Sequence, residues 1–537
     1  MGVPCCTAVD VRLPPEHESR NGKWNMEPDK DVVIGLDSST TATKAVAWRR
    51  DGTVAGVGRS SIPIASIGDN RYEQDPEDWW RSACVALSGL FQEIAPERVA
   101  AIAISNQRET FVPLGPKGVP VRPAIVWLDQ RCEKEVAWLA GKVGADKIHR
   151  ISGKPPDMGP VAYRIAWMLR WEKELFRATA LFADVQCYLV WRLTGAFWTS
   201  WASADPLGLF DMEGKDWSLD IMDALELSPE RLPRLAGPGT VIGHVGGLAA
   251  AATGLAPDTP VVAGGGDGQA AGLGVNALTS SRAYLNLGTA AVSGIYSREY
   301  RTGTAWRTMG SCSGEGYYFE TSLRAGTFLV DWLVRQICQT PAEDADIYQR
   351  LEAEASAVPI GSQGLLTLPY WGAVMTPYWD PQARGCFVGL TGSHRVGHLY
   401  RSVLEGIALE QALVTGMVEE QTNIHVKEFV AMGGGASSDF WCQIVADASG
   451  KTVRRSKTIE ASSLGAAICA AVGAGWFPTA AAAAESMCGK ITRETSPSPE
   501  NSRQYAELLG IYREIYPQLR ETFSRLSRFA AQVINEK

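Results

Sequence analysis

The sequence predicts an α/β protein built as two domains, on three observations. Short apolar strands alternate with helical segments along the chain, the pattern of helices layered on largely parallel sheets. At 537 residues the chain is longer than one hydrophobic core supports. The order strand, polar turn, strand also occurs twice, from Val32 and again from Ala283, about 250 residues apart.

The elements follow from the pattern. Residues 32–37 form an apolar run ending in Asp37, hydroxyl residues follow, and 45–48 is a second apolar run before the Asp51-Gly52 turn, so a β-hairpin is expected. A helix is expected over 77–94, a buried strand over 99–104, and helices over 160–176 and 183–193. A strand over 260–263 leads into Gly264-Gly265-Gly266-Asp267 and a helix-like 269–274. The second half repeats the theme with strands at 283–287 and 428–431 and helices at 398–419, 438–449 and 501–532. The expected division is a disordered extension over 1–30, a first domain over 31–276 and a second over 277–537.

Composition narrows the function. A net charge of −8 argues against a nucleic-acid partner, which calls for a basic surface. No apolar run reaches the roughly 18 residues of a membrane span; the best candidates, 464–477 and 480–484, are short and parted by Pro478. Cysteines such as Cys84, Cys187, Cys338, Cys442 and Cys469 lie singly in apolar segments, as reduced interior thiols do. The start carries a Cys5-Cys6 pair but no signal-peptide core, and Met26 stands just before the first strand. A cytoplasmic protein is expected.

Five segments carry chemistry. Asp37-Ser38-Ser39-Thr40-Thr41-Ala42-Thr43-Lys44 is a hydroxyl-rich turn able to cradle phosphate oxygens, with Asp37 placed to hold Mg2+ through water. Asn286-Leu287-Gly288-Thr289 repeats such a turn in the second half. Gly433-Gly434-Gly435, between a strand and a helix, permits flat approach of an adenosine. Asp267, at a strand end beside glycines, suits a general base taking a proton from an alcohol during phosphoryl transfer. Arg108-Glu109 offers paired charges to polyol hydroxyls, and Trp127 a wall for a carbon skeleton. Each segment alone also fits a plain turn, cap or surface pair. His394 and His398 lack a third ligand and read as structural.

Together these segments resemble the FGGY family of carbohydrate kinases over about Val32 to Gln518. Gly385-Cys386-Phe387-Val388-Gly389-Leu390, then His398-Leu399 and Ser402-Val403-Leu404-Glu405, match the C-terminal signature. Arg164-Ile165-Ala166-Trp167-Met168 matches the N-terminal one, with Arg where Lys is usual. The resemblance implies two actin-like, ribonuclease-H-like domains closing on ATP, Mg2+ and a small sugar or polyol. It implies Asp267 as catalytic base and Arg108, Glu109, Trp127 and Asp267 as substrate-binding. It places Thr40, Thr41, Lys44, Gly288, Thr289, Gly326, Gly434, Gly435 and Asp439 at the nucleotide and Asp37 at the metal. Asn106-Gln107-Arg108-Glu109-Thr110 is glycerol-kinase-like, whereas 211–217, Leu232-Pro233 and Val241-Ile242-Gly243 are xylulose-kinase-like. Gly159 and Gly268 stand where glycerol kinases carry Tyr and Gln, which implies a larger substrate. A ketopentose such as D-xylulose is expected. Glycerol, a tetritol, a branched ketose, a non-catalytic sugar sensor and an actin-like ATPase are alternatives, and a homodimer is left open.

Overall fold

The computed structural model describes residues 30–535 except 69, 342, 343, 345, 457 and 459. Residues 1–29, with Cys5, Cys6 and Met26 and nearly all of the expected disordered extension, lie outside the described residues.

Two sheets with the same plan organise the chain. The first is made of β1 (Val32–Ser38), β2 (Ala42–Arg49), β3 (Val54–Ser61), β4 (Val99–Asn106), β5 (Val241–His244) and β6 (Pro260–Gly266), in the order β5-β6-β4-β1-β2-β3. The second is made of β7 (Arg282–Leu287), β8 (Ala291–Ser297), β9 (Arg307–Gly310), β10 (Tyr317–Leu323), β11 (Glu428–Met432), β12 (Thr452–Ser456) and β13 (Ile491–Thr495), in the order β9-β10-β8-β7-β11-β12-β13. In each, an antiparallel meander (β1-β2-β3 and β7-β8-β10) is extended on its other side by two strands parallel to its first member. This is the actin-like, ribonuclease-H-like plan, present twice.

The helices cover the faces of these sheets: α1 (Pro76–Leu90), α2 (Val161–Trp171), α3 (Val185–Thr194), α4 (Asp267–Gly274), α5 (Val396–Thr422), α6 (Asp439–Ser449), α7 (Ala461–Gly473) and α8 (Pro499–Asn535). The β1, β4 and β6 strands are almost wholly buried, so they read as continuous apolar runs rather than alternating ones. Helix α7, late in the chain, packs on the first sheet. Ser463 Oγ donates to Gly35 O at 2.9 Å, and a Cβ on Gly35 would lie 1.9 Å from Ser463 O. Likewise a Cβ on Gly465 would lie 1.8 Å from Ala270 O, so α7 and α4 touch backbone to backbone. That contact fixes the helix on which Asp267 stands.

Three expected elements are corrected. The helix expected over 160–176 breaks at Glu172, whose ψ of 51° is not helical, and Lys173–Ala178 starts anew. The segment 183–193 begins as a strand, Leu181–Asp184, paired with Phe111–Leu114. Its Asp184 then caps α3, accepting from Cys187 N at 2.8 Å. The strand expected over 260–263 runs on through Gly264–Gly266, and a Cβ on Gly264 would meet Ile104 O at 2.0 Å.

Candidate active site

Strands β1, β4 and β6 run parallel, so their carboxyl ends open on one side of the sheet, where ligands of α/β proteins gather. Asp37 ends β1 opposite Ser105, and Gly266 at the end of β6 lies opposite Asn106. Asp37, Arg108 and Asp267 therefore converge although 230 residues separate the first from the last.

Asp267 is the first residue of α4; its Oδ1 accepts from Gly268 N at 2.8 Å and forms an ion pair with Arg108, whose Nε lies 3.1 Å away. Burial raises its pKa, and the Arg108 guanidinium and the Gly268 N–H pull it back. Burial, then the charge of Asp267, pushes Asp37 up to about 7. Ser105 Oγ donates to Asp37 at 3.1 Å, while Ser38 Oγ and Thr43 Oγ1 are buried with no partner among the described residues. The two crowded carboxylates form a hard-oxygen environment that a divalent cation would relieve, whereas Ser38 and Thr43, one position on in the strand register, belong to the opposite face of the sheet. Among the described residues no cluster of three His, Cys, Asp or Glu exists to hold a metal unaided. His394 and His398 serve their local turn, each Nδ1 accepting a backbone N–H.

On the acceptor side, Arg108 and Glu109 follow β4, Glu109 with a left-handed φ of 57°. They sit in a buried charge network that sequence reasoning missed. Glu320 Oε2 accepts from Arg108 Nη1 and from Tyr284 OH, both at 2.8 Å, and Glu320 Oε1 from Arg307 Nε at 2.8 Å. Arg307 Nη1 also donates to Glu109 Oε1 at 2.5 Å. Burial opposes the Glu320 charge, yet Arg108 and Arg307 hold its pKa down to about 2. Beneath lie Lys154, lowered by burial to about 8, and Asp205, raised by burial to about 6, 3.8 Å apart. A lone carboxylate inside Tyr317-Tyr318-Phe319-Glu320, an otherwise apolar strand, was the one local signal.

Arg164, which stands in the N-terminal signature where Lys is usual, is fully buried. Its Nη1 donates to Gly159 O at 2.8 Å and Glu109 O at 3.1 Å, and Nη2 to Trp127 O at 2.8 Å. One guanidinium thus gathers the segments that carry Glu109, Trp127 and Gly159. Trp127, part exposed, donates its indole N–H to Thr40 Oγ1 at 2.8 Å. Gly159 borders Glu109, but a Cβ there would lie 3.2 Å from Asp157 Oδ2 and 3.3 Å from Glu109 Oε1, so the two carboxylates close in on the glycine and the room expected for a larger substrate is not there. Gly268 does not open space either. A Cβ there would come within 2.9 Å of the Arg108 guanidinium, which fills the room expected for a larger substrate.

In the second domain Gly288 O accepts from Thr327 N at 2.7 Å and Thr289 O from Gly326 N at 2.9 Å, so these turns interlock. They border a cavity of about 580 Å³ lined by Thr289, Phe328, Tyr400, Gly434, Gly435 and Trp441, within the size range of small-ligand sites. Trp441 Nε1 is buried and unpartnered there, and nothing stands within 4 Å of a Cβ on Gly434. Asp439 does not line the cavity; its carboxylate pairs with Arg455 and Arg493. Thr41 is exposed at its turn, and Lys44 Nζ binds Glu460 Oε2 at 2.6 Å. The signature residue Glu405 is structural, accepting from Arg401, Gly361 N and Ser362 Oγ.

Comparison with known families matches residues 32–274 to the FGGY family of carbohydrate kinases, N-terminal domain, and 283–474 to its C-terminal domain. The chain belongs to the FGGY family of carbohydrate kinases. Among relatives of this FGGY kinase, the xylulose kinase of Bacillus subtilis (strain 168) is 29% identical over 93% of this chain and 99% of its own. The gluconokinase of the same organism is 25% identical over 94% and 99%. The ligand-bound xylulose kinase of Lactobacillus acidophilus superposes with a TM-score of 0.86 at 25% identity, covering 92% of this chain and 99% of that one. This FGGY kinase is therefore a sugar kinase that takes ATP and a sugar as substrates.

Proposed function

We propose that this kinase phosphorylates a neutral ketopentose such as D-xylulose, with 31–276 as the sugar-binding domain and 277–537 as the nucleotide-binding domain. The observation that carries the reading is the Asp267 carboxylate at the end of β6, bound by Arg108 and facing Asp37. Asp267 takes the proton of the acceptor hydroxyl as its oxygen attacks the terminal phosphorus and ADP departs. Arg108 keeps the base ionised, Glu109 and Trp127 shape the acceptor pocket, and Thr40, Thr41 and Lys44 face the phosphates. Gly288, Thr289 and Gly326 hold phosphates from the second domain, and Gly434 and Gly435 take the adenosine, with Asp439 orienting Arg455 at the rim. Asp37 would hold Mg2+ through water, and the ion would supply charge neutralisation at the phosphates.

Charge supports a neutral substrate over a sugar acid. Arg108, Arg307 and Lys154 each already face a carboxylate, and the Arg164 guanidinium is taken up by backbone carbonyls, so none of these cations is left over for a sugar acid. ADP release with ATP, Mg2+ and a panel of ketopentoses, tetritols, glycerol and gluconate tests this. Turnover led by D-xylulose is expected; gluconate or glycerol leading the panel overturns the substrate, and no turnover at all overturns the reading.

A further inference from the structure

We propose that Glu320 and Arg307 are positioning residues that complete the acceptor site from the second domain, so that Arg108 and Glu109 are correctly placed only when the two domains are docked. The inference rests on the acceptor hydroxyl lying at Asp267.

Glu320 is fully buried and accepts from Arg108, Tyr284 and Arg307, with both oxygens engaged. No oxygen is left for a sugar hydroxyl, so Glu320 acts through Arg108. Its platform is stiff: Arg307 and Glu320 are register partners on β9 and β10, and Tyr284 stands on β7 of the same sheet. The residues they hold are not stiff in themselves. Arg108 and Glu109 occupy an irregular segment after β4, and a left-handed conformation at Glu109 persists only where its surroundings impose it. Arg307 on its carboxylate and Arg164 on its carbonyl do so from opposite sides.

The network also ties the acceptor to the nucleotide. The sheet that carries Glu320 also carries the Gly288-Thr289 turn between β7 and β8, beside the cavity. Removing Glu320 leaves two buried guanidinium groups without a shared counter-ion, which loosens Arg108 from Asp267.

The test uses the full chain with Glu320→Gln, and Arg307→Lys as a variant that keeps the charge. Hydrogen–deuterium exchange on the ligand-free protein requires no knowledge of the sugar. Exchange over 106–110 is expected to quicken in E320Q while 433–439 stays as in wild type. With the sugar that wild type turns over best, the sugar KM is expected to rise roughly tenfold or more, the loss of a charge-assisted hydrogen bond. The KM for ATP stays within about twofold, since the cavity is intact, and R307K, which keeps the charge, raises the sugar KM less than E320Q does. Unchanged exchange over 106–110, or equal rises in both KM values, overturns the proposal. A wild type that turns over no sugar sinks the substrate reading instead, and the exchange result still decides the positioning role.

Discussion

The indole N–H of Trp127 donates to the hydroxyl of Thr40 at 2.8 Å, joining the Trp127 loop to the hydroxyl-rich β1–β2 hairpin across 87 residues of sequence. Thr40 O in turn accepts from Gln74 Nε2 at 2.7 Å, so the hairpin is held from both sides. Trp127→Phe keeps an aromatic ring and removes the N–H. The expected outcome is a sugar KM near wild type and a kcat lowered about threefold to tenfold, the range for one neutral hydrogen bond. Thr40→Val should do the same, and the double variant should be no worse than either; additive losses in steady-state kinetics would mean that the two act separately.

Asp267→Asn keeps the shape and removes the base. A fall in kcat of about 100-fold to 10,000-fold is expected, the typical contribution of general-base catalysis. Calorimetric ATP affinity should stay close to wild type, because the cavity lies on the other domain.

The pH profile follows from the charges around that base. Burial raises the Asp267 pKa, so the acid limb of kcat/KM should lie above the ordinary carboxylate range, with activity rising as the base deprotonates. Arg108 works in the opposite sense, favouring the ionised form. Arg108→Met should therefore move the limb to still higher pH, and a limb moving down would contradict the pairing.

Arg164 binds four backbone carbonyls, those of Glu109, Trp127, Asp129 and Gly159, through the three nitrogens of its planar fork. Lys cannot span them, since its donors radiate from one atom. Arg164→Lys is expected to raise the sugar KM about tenfold with little change for ATP, the loss of one charge-assisted hydrogen bond; a rise confined to ATP would refute the assignment.

Glu410 on α5 is a buried carboxyl outside the reaction, accepting from Tyr370 OH at 2.9 Å and Tyr512 OH at 2.7 Å. Burial raises its pKa to about 7. Between its unfolded value, near 4.5, and about 7 the folded state keeps a proton that the unfolded chain has lost. Its contribution to stability is thus present below that window and lost as pH rises through it. Glu410→Gln, neutral throughout, should gain in Tm on wild type from about pH 5 to about pH 8. A Tm difference independent of pH in thermal melts would show that the carboxyl does not titrate there.

Local pattern made the strands and their ends legible. The apolar runs before Asp37, Asn106 and Asp267 mark buried strands, and a polar group straight after such a run sits where a parallel sheet opens. The hydroxyl-rich turn, the second Gly-Thr turn and the triple glycine were legible for the same reason, because each is a short stretch whose backbone geometry its own residues set. The helix expected over 183–193 was misplaced because Leu181–Asp184 gains a strand partner in Phe111–Leu114, a pairing that lies outside any local window.

What the sequence alone determined is the inventory of chemical groups and the strand ends that present them. The tertiary structure decided which groups meet: Arg108 with Glu320, 212 residues away, Glu109 with Arg307, and Arg164 with the carbonyls of three loops. Coulombic and hydrogen-bonding partners are chosen by distance in space, and burial in a shared cleft makes those choices strong. Neither quantity exists in the chain until the two sheets have packed together.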